Sequence, residues 1–123
     1  MTTRTPLHRT ASITQQSIDT YAEVSGDRNP IHVDPAWAAQ SLFGTTIAHG
    51  QLVLGHVSAL FEDEFGVFWT EGGVLDVKFV SPVHSGETIS IDVTPRGPGF
   101  SIDISDSSHR TVVVGSAEIR MGA

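Results

Sequence analysis

The chain predicts an α+β domain in which a curved antiparallel sheet wraps around one long central helix. Three observations carry that prediction. First, Leu52, Val53, Val57, Leu60, Phe61 and Phe65 fall near the spacings of one helical face. Second, the apolar pattern changes to period two after Gly66, with strand candidates at 74–80, 88–94, 100–105 and 111–121. Third, the order runs strand, helices, then strands, which sets one helix against an antiparallel sheet rather than building parallel crossovers.

Each element has a local reason. Residues 7–13 (LHRTASI) read as a short strand. Thr14 is placed to cap a helix through about Val24, with Ile18, Tyr21 and Ala22 on one face. Residues 25–33 read as loop, because Gly26 and Pro30 punctuate them. Asp34-Pro35 gives another helix start, with Asp as the cap and Pro where a missing N–H costs nothing; that helix runs to about Leu42 and Gly44 ends it. In the long helix of residues 49–65, Gly55 and Ala59 keep a second face small, as close packing against a neighbour requires. Residues 67–70 (VFWT) add a further short strand. Pro82, Gly86, the 95–99 cluster and residues 106–108 separate the later strands.

At 123 residues and 39% hydrophobic content, the chain fits a single domain over 1–123. No stretch approaches the ~20 apolar residues of a membrane span, and the N-terminus lacks the apolar centre of a signal peptide. The absence of cysteine excludes disulfides and a thiol nucleophile, and favours a cytoplasmic protein. The net charge is −7, with Lys78 the sole lysine, which argues against nucleic-acid binding.

The chemistry concentrates in residues 21–54, YAEVSGDRNPIHVDPAWAAQSLFGTTIAHGQLVL. Asp27, Asn29 and His32 lie within six residues, on a segment broken by Gly26 and Pro30. A carboxylate and an imidazole on a constrained loop point to proton transfer. Ala48-His49-Gly50 opens the long helix, where a backbone N–H next to a residue without Cβ stabilises developing negative charge. Taken singly, Asp27 after Gly26 is ordinary turn chemistry and His32 an ordinary structural histidine. Their combination with Asn29 and Pro30 at this spacing favours catalysis. His49 is a ligand-contact candidate, although holding the helix start through a hydrogen bond is the weightier role. His56, seven residues on, invites a metal reading with His49, but no HExxH or Cys/His cluster supports one, and no metal is expected. Trp37 is a possible pocket wall, and Glu62-Asp63-Glu64 a solvated helix end.

SGDRNPIHVD followed by IAHGQL resembles the signature of the MaoC-like, or (R)-specific enoyl-CoA hydratase, family of hot-dog-fold proteins. VKFVSPVHSGETI is similar to that family's strand, Pro-Val turn and Gly-acid pair, and TASITQQSIDTYAEVSGD to its first helix, so the likeness covers nearly the whole chain. The resemblance implies that Asp27 and His32 activate water for addition to a trans-2-enoyl thioester, giving an (R)-3-hydroxyacyl thioester, or its reverse. It implies a hydro-lyase of fatty acid metabolism and a dimer of hot dogs with substrate tunnels near the interface. No cofactor is expected beyond the coenzyme A or acyl carrier that belongs to the substrate. Gly50 then serves as oxyanion donor, and Arg28, Asn29, Trp37, His49 and Ser58 as substrate-binding candidates. Ser58 enters because family members often carry a small polar residue near the site at that point of the helix.

Three alternatives stay open. A hot-dog thioesterase needs a carboxylate on the central helix, where Glu62 to Glu64 come late. A non-catalytic partner subunit conflicts with the intact Asp27/His32 pair. Basic residues that would meet a phosphate-bearing carrier are few (Arg28, Lys78, Arg96, Arg110, Arg120), which keeps a dehydratase or cyclase acting on a non-thioester molecule in view.

Overall fold

A computed structural model describes residues 4–120. Strand β1 (Leu7–Ser12) leads to helix α1 (Gln15–Ser25), the short helices α2 (Pro30–Val33) and α3 (Pro35–Ala39), and the long helix α4 (Gly50–Phe65). Helix α5 (Val67–Gly72) and strands β2 (Gly73–Phe79), β3 (Thr88–Arg96), β4 (Gly99–Ser105) and β5 (Thr111–Ile119) complete the order. All strand pairs are antiparallel, in the order β1-β3-β4-β5-β2, so β1 and β2 are the two edges.

Helix α4 buries Val53, Val57 and Phe61, one residue per turn. They meet Ile89, Ile91, Val93, Ile102, Ile104 and Val113 from the sheet in one apolar core. Phe61 anchors it, stacking on Trp69 at 4.5 Å between centroids and meeting Phe100 edge-on at 5.4 Å. Truncating such a residue to Ala typically costs 3–5 kcal/mol.

The caps follow the sequence. The Thr14 side chain accepts from the Ser17 N–H, and Ser17 returns the bond to Thr14. Asp34 caps α3 through the Trp37 N–H with Pro35 in its first turn. Gly26 ends α1 at φ +82°, a conformation that favours glycine.

Several expectations are corrected. Residues 67–70 are helical, because Trp69 turns back onto Phe61 instead of joining the sheet, whose edge begins at Gly73. Residues 30–33 form a helical turn within the expected loop, capped by the Asn29 side chain on the Ile31 N–H at 3.1 Å. Helix α3 stops at Ala39, which leaves Leu42 fully exposed. Strand β3 continues through Pro95 to Arg96, so the hairpin turn is confined to Gly97 and Pro98. The small face of α4 is uncovered at Gly55, where an added Cβ would meet nothing within 4 Å among the described residues. Of the last expected strand, Met121 lies outside the described residues. Among the described residues, no helix is long and apolar enough to cross a membrane.

Candidate active site

The segment between α1 and α4 is tied down on both sides of Asp27 and His32. The Asp27 N–H donates to Ser25 Oγ at 3.1 Å, and Asp27 Oδ1 accepts from the Asn29 N–H at 3.3 Å. These local bonds hold the Asp27 carboxylate at the outside of a tight turn, 56% exposed. Asn29 caps α2, and the His32 N–H donates to the Asn29 carbonyl at 2.8 Å. Pairing of the Ile47 N–H with the Ile31 carbonyl at 3.1 Å then binds α2 to the chain entering α4.

His32 is held at its backbone and its ring. Gln15 Nε2 donates to the His32 carbonyl at 2.8 Å, while Gln15 Oε1 accepts from Thr46 Oγ1. His32 Nδ1–H donates to the Ile47 carbonyl at 2.8 Å. A carbonyl only accepts, so this bond puts the proton on Nδ1 and leaves the neutral ring's lone pair on Nε2. Nε2 faces Asp27 Oδ2 at 3.8 Å.

His49, only 3% exposed, stacks its ring on His32 at 3.8 Å between centroids. No side chain caps α4: rather than capping the helix, His49 Nε2–H donates to the Asp27 carbonyl at 2.9 Å. The expected hydrogen bond therefore exists, but it runs across the site. It joins the loop bearing the carboxylate to the start of α4. Tyr21 closes the far side of His49 edge-on at 4.8 Å.

Helix α4 opens at Gly50 with no acidic residue in its first turn. The first intrahelical bonds are made by the Leu52 and Val53 N–H groups to the His49 carbonyl, so Gly50 and Gln51 present N–H groups at the positive end of the helix dipole. Gly50 and His32 line one cavity of about 440 Å³ with Ala48, Val53, Phe79 and Val83. Its walls are mostly apolar side chains, with His32, Ser81 and the helix N-terminus at Gly50 as polar features.

The other candidates fall apart from this centre. Arg28 is exposed beside Asp27 and pairs with Glu23 at 2.8 Å. Trp37 lines a separate groove with Ala36, Gln40 and Ser41. Ser58 lines another with Glu62 and Trp69. His56 is not part of the cluster that His49 forms with Asp27 and His32; burial first and the guanidinium of Arg9 in β1 second lower its pKa below the ordinary 6.5.

Asp27, His32 and His49 each offer a ligand atom, all within 4.8 Å of one another. The sequence drew attention to His49 with His56, and this grouping instead arises because the loop folds back over the helix start. Imidazole lone pairs lie in the ring plane, and these planes are stacked 23° apart. Such rings do not aim at a common ion, whereas they do support one another in a fixed orientation. Gln15, Ile47 and Phe79 are the residues sequence reasoning missed. All three lie inside segments quoted for the resemblance, TASITQQSIDTYAEVSGD, IAHGQL and VKFVSPVHSGETI, but none of them was singled out there.

A five-stranded antiparallel sheet curved around one helix, with the acid and imidazole beside that helix's free N-terminus, defines a hot-dog domain of the hydratase type. The chain belongs to the MaoC-like family: the MaoC like domain matches residues 1–118. It is 37% identical over 105 residues to 3-hydroxyacyl-thioester dehydratase Z of Mycobacterium tuberculosis, covering 82% of this chain and 66% of that protein. It is 34% identical over 89 residues to the (R)-specific enoyl-CoA hydratase of Rhodospirillum rubrum, covering 70% and 60%. An R-hydratase of Pseudomonas aeruginosa superposes with a TM-score of 0.77 at 27% identity, covering 97% of this chain and 81% of that one. The chain thus spans just under two thirds of the length of the mycobacterial relative.

Proposed function

We propose that this domain is a hydro-lyase interconverting a trans-2-enoyl thioester and an (R)-3-hydroxyacyl thioester. The observation that carries the reading is the pairing of His32 Nε2 with the Asp27 carboxylate at 3.8 Å, where His32 also lines the cavity that Gly50 lines. That separation is too long for a direct hydrogen bond and suits one water shared by both groups. The names of the mycobacterial and Rhodospirillum relatives support the same reaction class.

Hydration then proceeds as follows. Water held by Asp27 and His32 attacks C3, and His32 Nε2 takes its proton. The imidazolium keeps its Nδ1–H on the Ile47 carbonyl and faces the Asp27 carboxylate, which stabilises it. The electron pair of the C2=C3 bond moves to the thioester oxygen, where the Gly50 N–H stabilises it. Collapse of that enolate draws the proton from Nε2 to C2. The sum is one water added across C2=C3, with the enzyme unchanged. Acid–base catalysis of this kind contributes ~10²–10⁴-fold, and one oxyanion donor a further ~10²–10³.

Asn29 acts by shaping the loop, and Arg28, paired with exposed Glu23, is proposed for a phosphate of the coenzyme A or acyl carrier at the cavity mouth. We propose that a second copy completes the site as a homodimer. The small face of α4 is uncovered at Gly55, and edge strand β2 runs into half-exposed Phe79 and Val80. These are an uncovered helix face and an unpaired strand edge, and the edge ends at Phe79, which lines the cavity.

Loss of enoyl absorbance, followed with trans-2-enoyl-CoAs of several chain lengths, tests the reading. Consumption of at least one with an (R)-configured product is expected. If none is consumed, the site acts on a non-thioester substrate instead.

A further inference from the structure

Phe79 ends edge strand β2 and lies opposite the start of α4. A Cβ on Gly50 would fall 2.9 Å from the Phe79 Cζ, 3.1 Å from Cε1 and 3.3 Å from Cε2. The tip of the ring therefore occupies the space a side chain at position 50 would need. The absence of a side chain at Gly50 does two things here. It opens the backbone N–H to the cavity, and it lets an aromatic wall close to contact distance beside that N–H.

Resting on the reaction proposed above, the geometry points to Phe79 as the residue that decides what may be attached to C2 of the substrate. The thioester oxygen accepts from the Gly50 N–H, and C2 is two bonds from that oxygen. His32 must reach C2 from its own side of the cavity to deliver the proton. The ring in contact with Gly50 thus flanks the same two or three atoms from another side. A hydrogen on C2 fits between these walls, and a methyl group meets the Phe79 ring. The acyl chain beyond C3 extends away from Gly50, so its length bears on other walls of the cavity. Phe79 is 49% exposed and ends an edge strand, so a smaller side chain there leaves the buried core in place.

The test compares kcat/KM for crotonyl-CoA, its 2-methyl derivative and trans-2-hexenoyl-CoA in the wild type, Phe79→Leu and Phe79→Ala. One methyl group against a fitted wall is worth about 10–200-fold in kcat/KM. The wild type is expected to disfavour the 2-methyl substrate within that range. Phe79→Ala should narrow the ratio at least about tenfold, with Phe79→Leu between them, while the hexenoyl-to-crotonyl ratio moves much less. A general loss of packing lowers all three rates together and leaves the ratios alone. Unchanged ratios in both variants overturn the role of Phe79 while leaving the hydratase reading intact. Equal movement of both ratios overturns it too. A wild type inactive on every thioester overturns both readings. The pair Gly50→Ala and Gly50→Ala/Phe79→Ala gives a second readout: the added Cβ should cost activity that removal of the ring partly restores, and no restoration counts against the contact.

Discussion

His49 Nε2–H donates to the backbone carbonyl of Asp27 at 2.9 Å, across 22 residues of sequence. This bond joins the two halves of the candidate site, the loop with the carboxylate and the start of α4 at Gly50. The same ring supports His32 by stacking. His49 is thus a positioning residue that acts through its neighbours.

Replacing His49 therefore loosens Asp27 and His32 together. His49→Ala should lower kcat/KM for an enoyl thioester by about 10–100-fold and stability by about 1–3 kcal/mol, since a part-buried hydrogen bond and the stacking of the buried His49 ring are lost. His49→Gln keeps an N–H and should recover part of both. Steady-state kinetics beside thermal unfolding checks this, and wild-type kcat/KM in His49→Ala would refute it.

Gln15 donates to the His32 carbonyl and accepts from Thr46, which predicts a second positioning residue. Gln15→Glu preserves the acceptor for Thr46 but removes the donor to His32 and adds charge beside Asp19. It should reduce stability by about 1–2 kcal/mol and reduce activity more than Thr46→Val does. Equal activities in the two variants would show that the His32 contact carries no function.

The stacked arrangement of His32 and His49 predicts that chelators leave the enzyme unaffected. Hydration rates before and after dialysis against EDTA should agree. A loss restored by a divalent cation would assign Asp27, His32 and His49 to a metal instead.

His56 gives a pH dependence of stability. Burial, then the Arg9 guanidinium, lower its folded-state pKa below 6.5. Below that value the unfolded chain binds the proton more readily than the fold does. Stability is therefore fully present above about pH 6.5 and is lost as pH falls through the lowered folded value. The drop in Tm from pH 7.5 to pH 5 should be smaller in His56→Gln than in the wild type. Identical drops would remove His56 from the account.

The sequence made the candidate residues legible more readily than the contacts that hold them. Asp27, His32 and Gly50 stood out because the acid, the imidazole and the glycine carry recognisable chemistry at short spacing, and the fold brings Asp27 and His32 to 3.8 Å. Thr14 and Asp34 were legible as caps because capping is local. Gln15, Ile47 and Phe79 were not, because each acts through a contact that only the folded chain creates. Ile47 contributes a carbonyl, which no side-chain pattern announces. Residues 67–70 were misread because β-favouring Val, Phe and Trp also serve a short helix when Trp69 has Phe61 to pack against. Trp37 and Ser58 were near the site in sequence or in helical register, yet the fold turns them to other surfaces.

The most direct test of the central claim is kcat/KM for crotonyl-CoA hydration by Asp27→Asn and His32→Ala, each checked for wild-type oligomeric state and Tm. Both should fall by ~10²–10⁴-fold or more while the fold is retained. Near-normal turnover by either folded variant would contradict the assignment of water activation to this pair.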